Sequence, residues 1–163
     1  MSTRANIIIK DGGDQLIFYR HSDGYPEGAL PTLKKFMSWV KDGRIRDNIQ
    51  QAAGWLILIG AEECGSVYEG GGNYRQKKTL TEPDPNDEFS GWRSGSYEPS
   101  FGIHGDIEYL YTLDLDEKTI LVQSVLDDDK YETLETITDF TQTPEIITII
   151  TEPVPNPDEL EIL

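Results

Sequence analysis

Cysteine occurs once in this 163-residue chain and histidine only twice. A single thiol, Cys64, excludes an internal disulfide framework and fits a reducing compartment. Two imidazoles cannot build an all-histidine zinc site, and neither His21 nor His104 stands at metal-ligand spacing from other ligand types. Long apolar runs are also missing. The longest apolar window, residues 52–61, is about half of what a bilayer crossing requires. The start Met1-Ser2-Thr3-Arg4 has no charged-then-apolar leader pattern. A cytoplasmic protein without membrane partners is the expectation. Catalytic signatures are equally scarce. No Gly-x-Ser-x-Gly, Walker or dinucleotide-binding pattern occurs, and Gly70-Gly71-Gly72 lacks the following Lys-Ser/Thr. Asp127-Asp128-Asp129 and the Asp114/Asp116 pair lack the alternating oxygens and central glycine of a calcium loop. No metal and no cofactor is expected.

Basic residues are in short supply, 14 against 30 acids, and their distribution is uneven. Residues 1–105 hold 14 acids and 12 bases, whereas residues 106–163 hold 16 acids and only Lys118 and Lys130. The second part would repel long nucleic acid, so an anionic ligand could be held only by the first. The acidic part can face a basic partner, imitate a polyanion, or simply be a solvated surface that aids solubility.

What is present reads as one α+β domain over residues 1–151, with an acidic, proline-containing tail at 152–163. Residues 6–10 and 15–20 are strand-like around Asp11-Gly12-Gly13-Asp14, a hairpin pattern. Gly24, Pro26 and Gly28 then predict a loop. Leu30, Leu33, Phe36, Met37 and Val40 recur on one helical face, with Pro31 in the first turn and Asp42-Gly43 at the end. A second helix is expected from Arg46 or Asp47 to about Glu63. Its stripe of Ile49, Ala52, Ala53, Leu56 and Ile59 is broadened by Trp55 and Leu58, which predicts a central helix. Residues 65–105 contain eight of the 15 glycines and form a long irregular insert. That insert carries Tyr68, Tyr74, Phe89, Trp92, Tyr97 and Phe101, which argues for a partly ordered loop packed over the domain. Residues 107–113 and 119–125 read as a second hairpin. Residues 131–141 are ambiguous between a helix (Tyr131, Leu134, Ile137) and extended threonine-rich chain, and 145–151 read as a strand. The expected architecture is an antiparallel sheet of two hairpins packed on two helices.

Chemistry concentrates at the exit of the first hairpin. Tyr19, Arg20 and His21 end a strand, and Asp23 and Tyr25 lie in the loop that leads to the first helix. Strand-to-helix joints favour ligands because helix N-termini attract anions and loops allow close backbone approach. The same glycines can equally serve turn geometry alone, with Tyr25 packed on the helix and Arg20 paired to Asp23. A second candidate lies in the insert, where Tyr74-Arg75-Gln76-Lys77-Lys78 and Gly91-Trp92-Arg93 combine rings with cations. Rings can stack on a base and cations can hold phosphate.

The start Ser2-Thr3-Arg4-Ala5 and the segment Tyr19-Arg20-His21-Ser22-Asp23-Gly24-Tyr25-Pro26-Glu27-Gly28 resemble a group of small phage, prophage and bacterial mobile-element proteins. These open with "STRA" and carry a "Y-[RK]-H-x-D-G-Y-P-E-G" segment. The resemblance covers about the first 60 residues and brings no assigned activity. It implies context: an accessory protein in the cytoplasm of a bacterial host, of a kind that acts by binding host or defence components.

The expectation assembled from these readings is a non-enzymatic protein that sequesters a small nucleotide-derived ligand, such as a defence signal. Arg4, Arg20 and His21 would meet phosphate, Tyr25, Tyr74 and Trp92 would stack, and Tyr19, Asp23, Arg75 and Arg93 would complete the site. Two alternatives stand beside it. One is an acidic interaction protein or polyanion mimic that binds a basic host protein. The other is a phosphodiesterase with His21 and His104 as acid and base. Homo-oligomerisation is left open.

Overall fold

The computed structural model describes residues 2–65, 97–127 and 129–141. Expectations for residues 66–96, including Tyr74, Arg75, Trp92 and Arg93, and for residues 145–163 lie outside the described residues.

The chain runs β1 (Ala5–Asp11), β2 (Asp14–Arg20), α1 (Pro26–Lys41), α2 (Ile49–Gly65), β3 (Glu98–Ser100), β4 (Tyr109–Asp114), β5 (Thr119–Asp127) and β6 (Lys130–Ile137). The six strands form one sheet in the order β3-β2-β1-β4-β5-β6. The α+β class is as expected. The sheet differs from a purely antiparallel one, because β1 and β4 run parallel at its centre, Ala5 facing Tyr109 and Lys10 facing Asp114. Slightly more than a hundred positions separate those partners, and that length accommodates the crossover a parallel pair requires.

Alternation decides which residues enter the core. Ala5, Ile7 and Ile9 of β1, Phe18 of β2, Tyr111 and Leu113 of β4 and Ile120 and Val122 of β5 all point to one face. There they meet Ala29, Leu33, Phe36, Met37 and Val40 of α1 and Ala52, Leu56 and Ile59 of α2. Each fully buried side chain of this size contributes roughly 1.5–3 kcal/mol through removal from water. The opposite face carries a smaller apolar group built on Tyr19, Ile107 and Leu110, with Ile8, Val125 and Tyr131 against it.

The helices differ from expectation in particular ways. α1 starts at Pro26, not near Pro31, so Gly28 lies in its first turn and Pro31 inside the helix. Pro26 fits that first turn because its missing N–H would have had no helical partner. At the other end Gly43, with φ +80°, gives its N–H to the Val40 carbonyl, and Arg44 reaches the Trp39 carbonyl at 2.8 Å. This paired closure satisfies carbonyls that the helix end leaves open. α2 is capped by Asn48, whose Oδ1 accepts from the Gln50 and Gln51 N–H groups at 3.0 and 3.1 Å. It is not a central helix, since Trp55, Ile57 and Leu58 are exposed on its outer side.

Two further readings are sharpened. Residues 130–137 are a strand, because β5 offers an open ladder and threonine suits extended chain better than helix. Within the expected irregular insert, residues 98–100 form a strand: Tyr97 is buried, and β3 extends the sheet beside β2. The charge division of the sequence also becomes spatial. β3, β2 and β1 come from the near-neutral part, while β4, β5 and β6 come from the acidic part, and the parallel β1/β4 pair is the seam. Among the described residues no helix is long and apolar enough to cross a membrane.

Candidate functional site

The two quoted sequence segments, residues 2–5 and 19–28, form one structural unit. Gly24 donates its N–H to the Thr3 carbonyl at 2.9 Å, and the Tyr111 hydroxyl donates to the Gly24 carbonyl at 2.6 Å. A Cβ on Gly24 would stand 2.8 Å from the Ala5 Cβ and 2.9 Å from the Thr3 oxygen, so only glycine lets the loop lie against β1. Much of the pattern thus serves to seat the loop.

Strand alternation then divides Tyr19, Arg20 and His21. Arg20 faces the helices and is 1% exposed. Its Nε donates to the Ser22 carbonyl at 2.8 Å, another guanidinium nitrogen donates to the Tyr97 hydroxyl at 2.8 Å, and the group lies 5.1 Å from the Tyr97 ring centre. The expectation that Arg20 shares a phosphate with Arg4 and His21 is therefore corrected, because they stand on opposite faces of the sheet. Arg20 anchors the loop from beneath. Asp23, with φ +55°, and Tyr25 are exposed; Tyr25 precedes α1 without capping it through its side chain.

On the other face the remaining residues converge. The Tyr19 hydroxyl lies 3.1 Å from His21 Nδ1, and the Tyr19 ring stacks on His104 with centroids 3.8 Å apart and 9° between planes. Arg4 hydrogen-bonds the Tyr19 hydroxyl and pairs with Asp106 at 3.3 Å. Burial first, and then the Asp106 charge, raise the Tyr19 phenol above its ordinary pKa, with Arg4 opposing. The phenol therefore stays protonated at neutral pH. It can accept from Arg4 and donate to His21.

Asn6 holds the second half of this site in place. It is a fully buried polar residue inside an isoleucine-rich strand. Its Nδ2 donates to the Phe18 carbonyl and its Oδ1 accepts the His104 backbone N–H, both at 2.8 Å. The loop after β3 is thereby clamped over Tyr19. Ser100 Oγ adds a contact to His104 Nε2 at 3.2 Å, and Phe101, next in the chain after Ser100, is fully exposed. Asn6, Ser100 and Asp106 escaped the sequence reading. Only Asn6 left a signal, as an amide within a β-branched run.

Among the described residues no three His, Cys, Asp or Glu side chains gather as metal ligands. A groove of about 640 Å³ opens elsewhere, at the end of α1, lined by Lys35, Trp39, Lys41, Asp139 and Phe140 among others. Its cations are engaged: Lys35 lies 5.1 Å from the Trp39 ring and Lys41 lies 5.8 Å from that of Phe140. Asp139 is held below its usual pKa by hydrogen bonds from Thr141 and then by the Lys41 and Lys34 charges. The groove is lined by α1 and the segment after β6, away from Tyr19 and both histidines. Compared with known protein families, curated proteins and solved structures, the chain matches none.

Proposed function

We propose that the chain binds a small phosphate-bearing, nucleotide-derived ligand on the open face of its sheet, at Arg4, Tyr19, His21 and His104. One observation carries this reading. The only two histidines of the chain, 83 positions apart, meet on a single buried tyrosine whose hydroxyl is also reached by an arginine. Such a row of donors suits phosphate oxygens. The outer face of the exposed His104 ring offers a base a stacking surface worth about 1–3 kcal/mol. In the phage or mobile-element context, and in the cytoplasm of a bacterial host, such a protein would act by sequestering a signal.

Asp106 competes for Arg4, so ligand must displace it or share the guanidinium. Isothermal titration of the full chain against cyclic and linear nucleotides, with inorganic phosphate as control, tests the reading. Arg4→Ala removes a charge-assisted contact and should weaken binding about tenfold or more. Asp106→Asn should strengthen it. Absence of heat with every nucleotide, or binding indifferent to both Arg4→Ala and His21→Ala, would refute the proposal. Product formation lost in His21→Ala while binding persists would move it to phosphodiester cleavage.

A further inference from the structure

β6 lies at the border of the acidic half of the sheet, and no strand stands beyond it among the described residues. Its side chains from Lys130 to Thr136 are exposed, apart from a half-buried Tyr131. An edge strand presents a row of unpaired N–H and C=O groups that another extended chain can join. Its charge pattern is specific. Glu135 faces Val122 and Glu132 faces Ser124, while Thr133 faces Gln123 and Leu134 is the extra residue of a bulge. Val122 and Ser124 are two apart on β5, so both carboxylates point to the same side although they are three apart in sequence. On the other side Tyr131 faces Val125, beside Thr133. β6 thus offers one acidic side and one side of threonine and aromatic character.

From this arrangement we propose that the outer edge of β6 accepts an extended, basic segment of another protein as a seventh strand, with Lys or Arg on one side facing Glu132 and Glu135. Main-chain hydrogen bonds supply affinity in this mode of recognition and side chains supply selectivity. Charge decides against a second copy of this chain as the occupant. A full-length antiparallel pairing of β6 with itself sets Glu132 opposite Glu135 of the other copy, twice, and like charges directly opposite are destabilising. A lysine or arginine at those positions converts the same contacts into attraction. β1, β4 and β5 lie between β2 and β6 in the sheet, and Tyr131 of β6 is the residue that packs against the apolar group containing Tyr19, so the charge changes at Glu132 and Glu135 test the edge apart from the ligand site.

The test uses the full chain and a fluorescent peptide of alternating threonine and lysine, seven residues long by design, with two controls. One control carries glutamate in place of lysine. The other keeps the lysines but is N-methylated at alternate positions, so its charge is intact and its ladder is broken. The expected result is saturable binding of the lysine peptide, slowed exchange of outward-facing β6 amides, and loss of binding on N-methylation. Glu132→Lys with Glu135→Lys should weaken the lysine peptide at least tenfold and admit the glutamate peptide. The milder Glu132→Gln with Glu135→Gln should fall between. Equal binding of the N-methylated peptide would overturn the proposal, as would indifference to the charge changes or protection mapped to another element. β6 amides already slow in the free protein would overturn it too, since the edge would then be covered by this chain or by a second copy.

Discussion

Replacing Tyr111 by phenylalanine should cost stability at neutral pH and give it back in alkali. Tyr111 is fully buried at the centre of the sheet, and its hydroxyl donates to the buried Gly24 carbonyl at 2.6 Å. Removal leaves that carbonyl without its partner, a loss of about 1–3 kcal/mol. Burial first, with the Tyr97 and Tyr109 phenols adding, raises the Tyr111 pKa above the ordinary 10.0. A raised pKa means that the folded state keeps its proton while the unfolded chain releases it. The contribution is therefore whole below about pH 10 and declines as pH rises beyond it, by about 1.4 kcal/mol per pH unit for one proton. The phenylalanine variant has no such proton. Its deficit should shrink above pH 10 and vanish roughly one to two units higher. Urea unfolding of both proteins at a series of pH values, extrapolated to water, measures the gap directly. A gap that stays constant from neutral to strongly alkaline pH would refute the reasoning, as would the absence of any deficit at neutral pH.

Gly24→Ala should lower stability by about 1–3 kcal/mol, read by thermal unfolding, because the new methyl meets Ala5 and the Thr3 carbonyl. It should also weaken ligand binding by displacing His21. Arg20→Ala should cost about 2–4 kcal/mol, since it removes a buried guanidinium together with its hydrogen bonds to the Tyr97 hydroxyl and the Ser22 carbonyl. Arg4→Ala, at a partly exposed pair, should change unfolding by no more than about 1 kcal/mol while removing ligand affinity. Asn48→Ala should cost about 1 kcal/mol through the uncapped Gln50 and Gln51 N–H groups, with a matching drop in urea midpoint.

Local rules carried the reading of the sequence where burial and periodicity agree. Ile7 and Ile9 of β1 and the stripe from Leu33 to Val40 meet both conditions, and both enter the core. Trp55 and Leu58 misled because apolar character does not dictate burial; they lie on the outer side of α2. Residues 131–137 carried two periods at once, and the free ladder of β5 selected the extended one. For the candidate site, the Tyr19–His21 stretch was visible, but treating it as continuous hid what a period of two implies for Arg20. The gathering of His21 and His104 around Tyr19 lies beyond local reasoning. It depends on β3 pairing with β2 and on the Asn6 clamp, both contacts of large sequence separation.

The parallel seam has a consequence for the order in which the fold assembles. Joining β1 to β2 closes a turn of a few residues, while joining Ala5 to Tyr109 closes a loop of about a hundred. The entropy of closure grows as the logarithm of loop length, so trimming that loop by a third gains only about 0.3–0.4 kcal/mol. The hairpin and its helices can form early as a local nucleus. The acidic strands must then dock late on the exposed side of β1, a step whose rate is governed by non-local search.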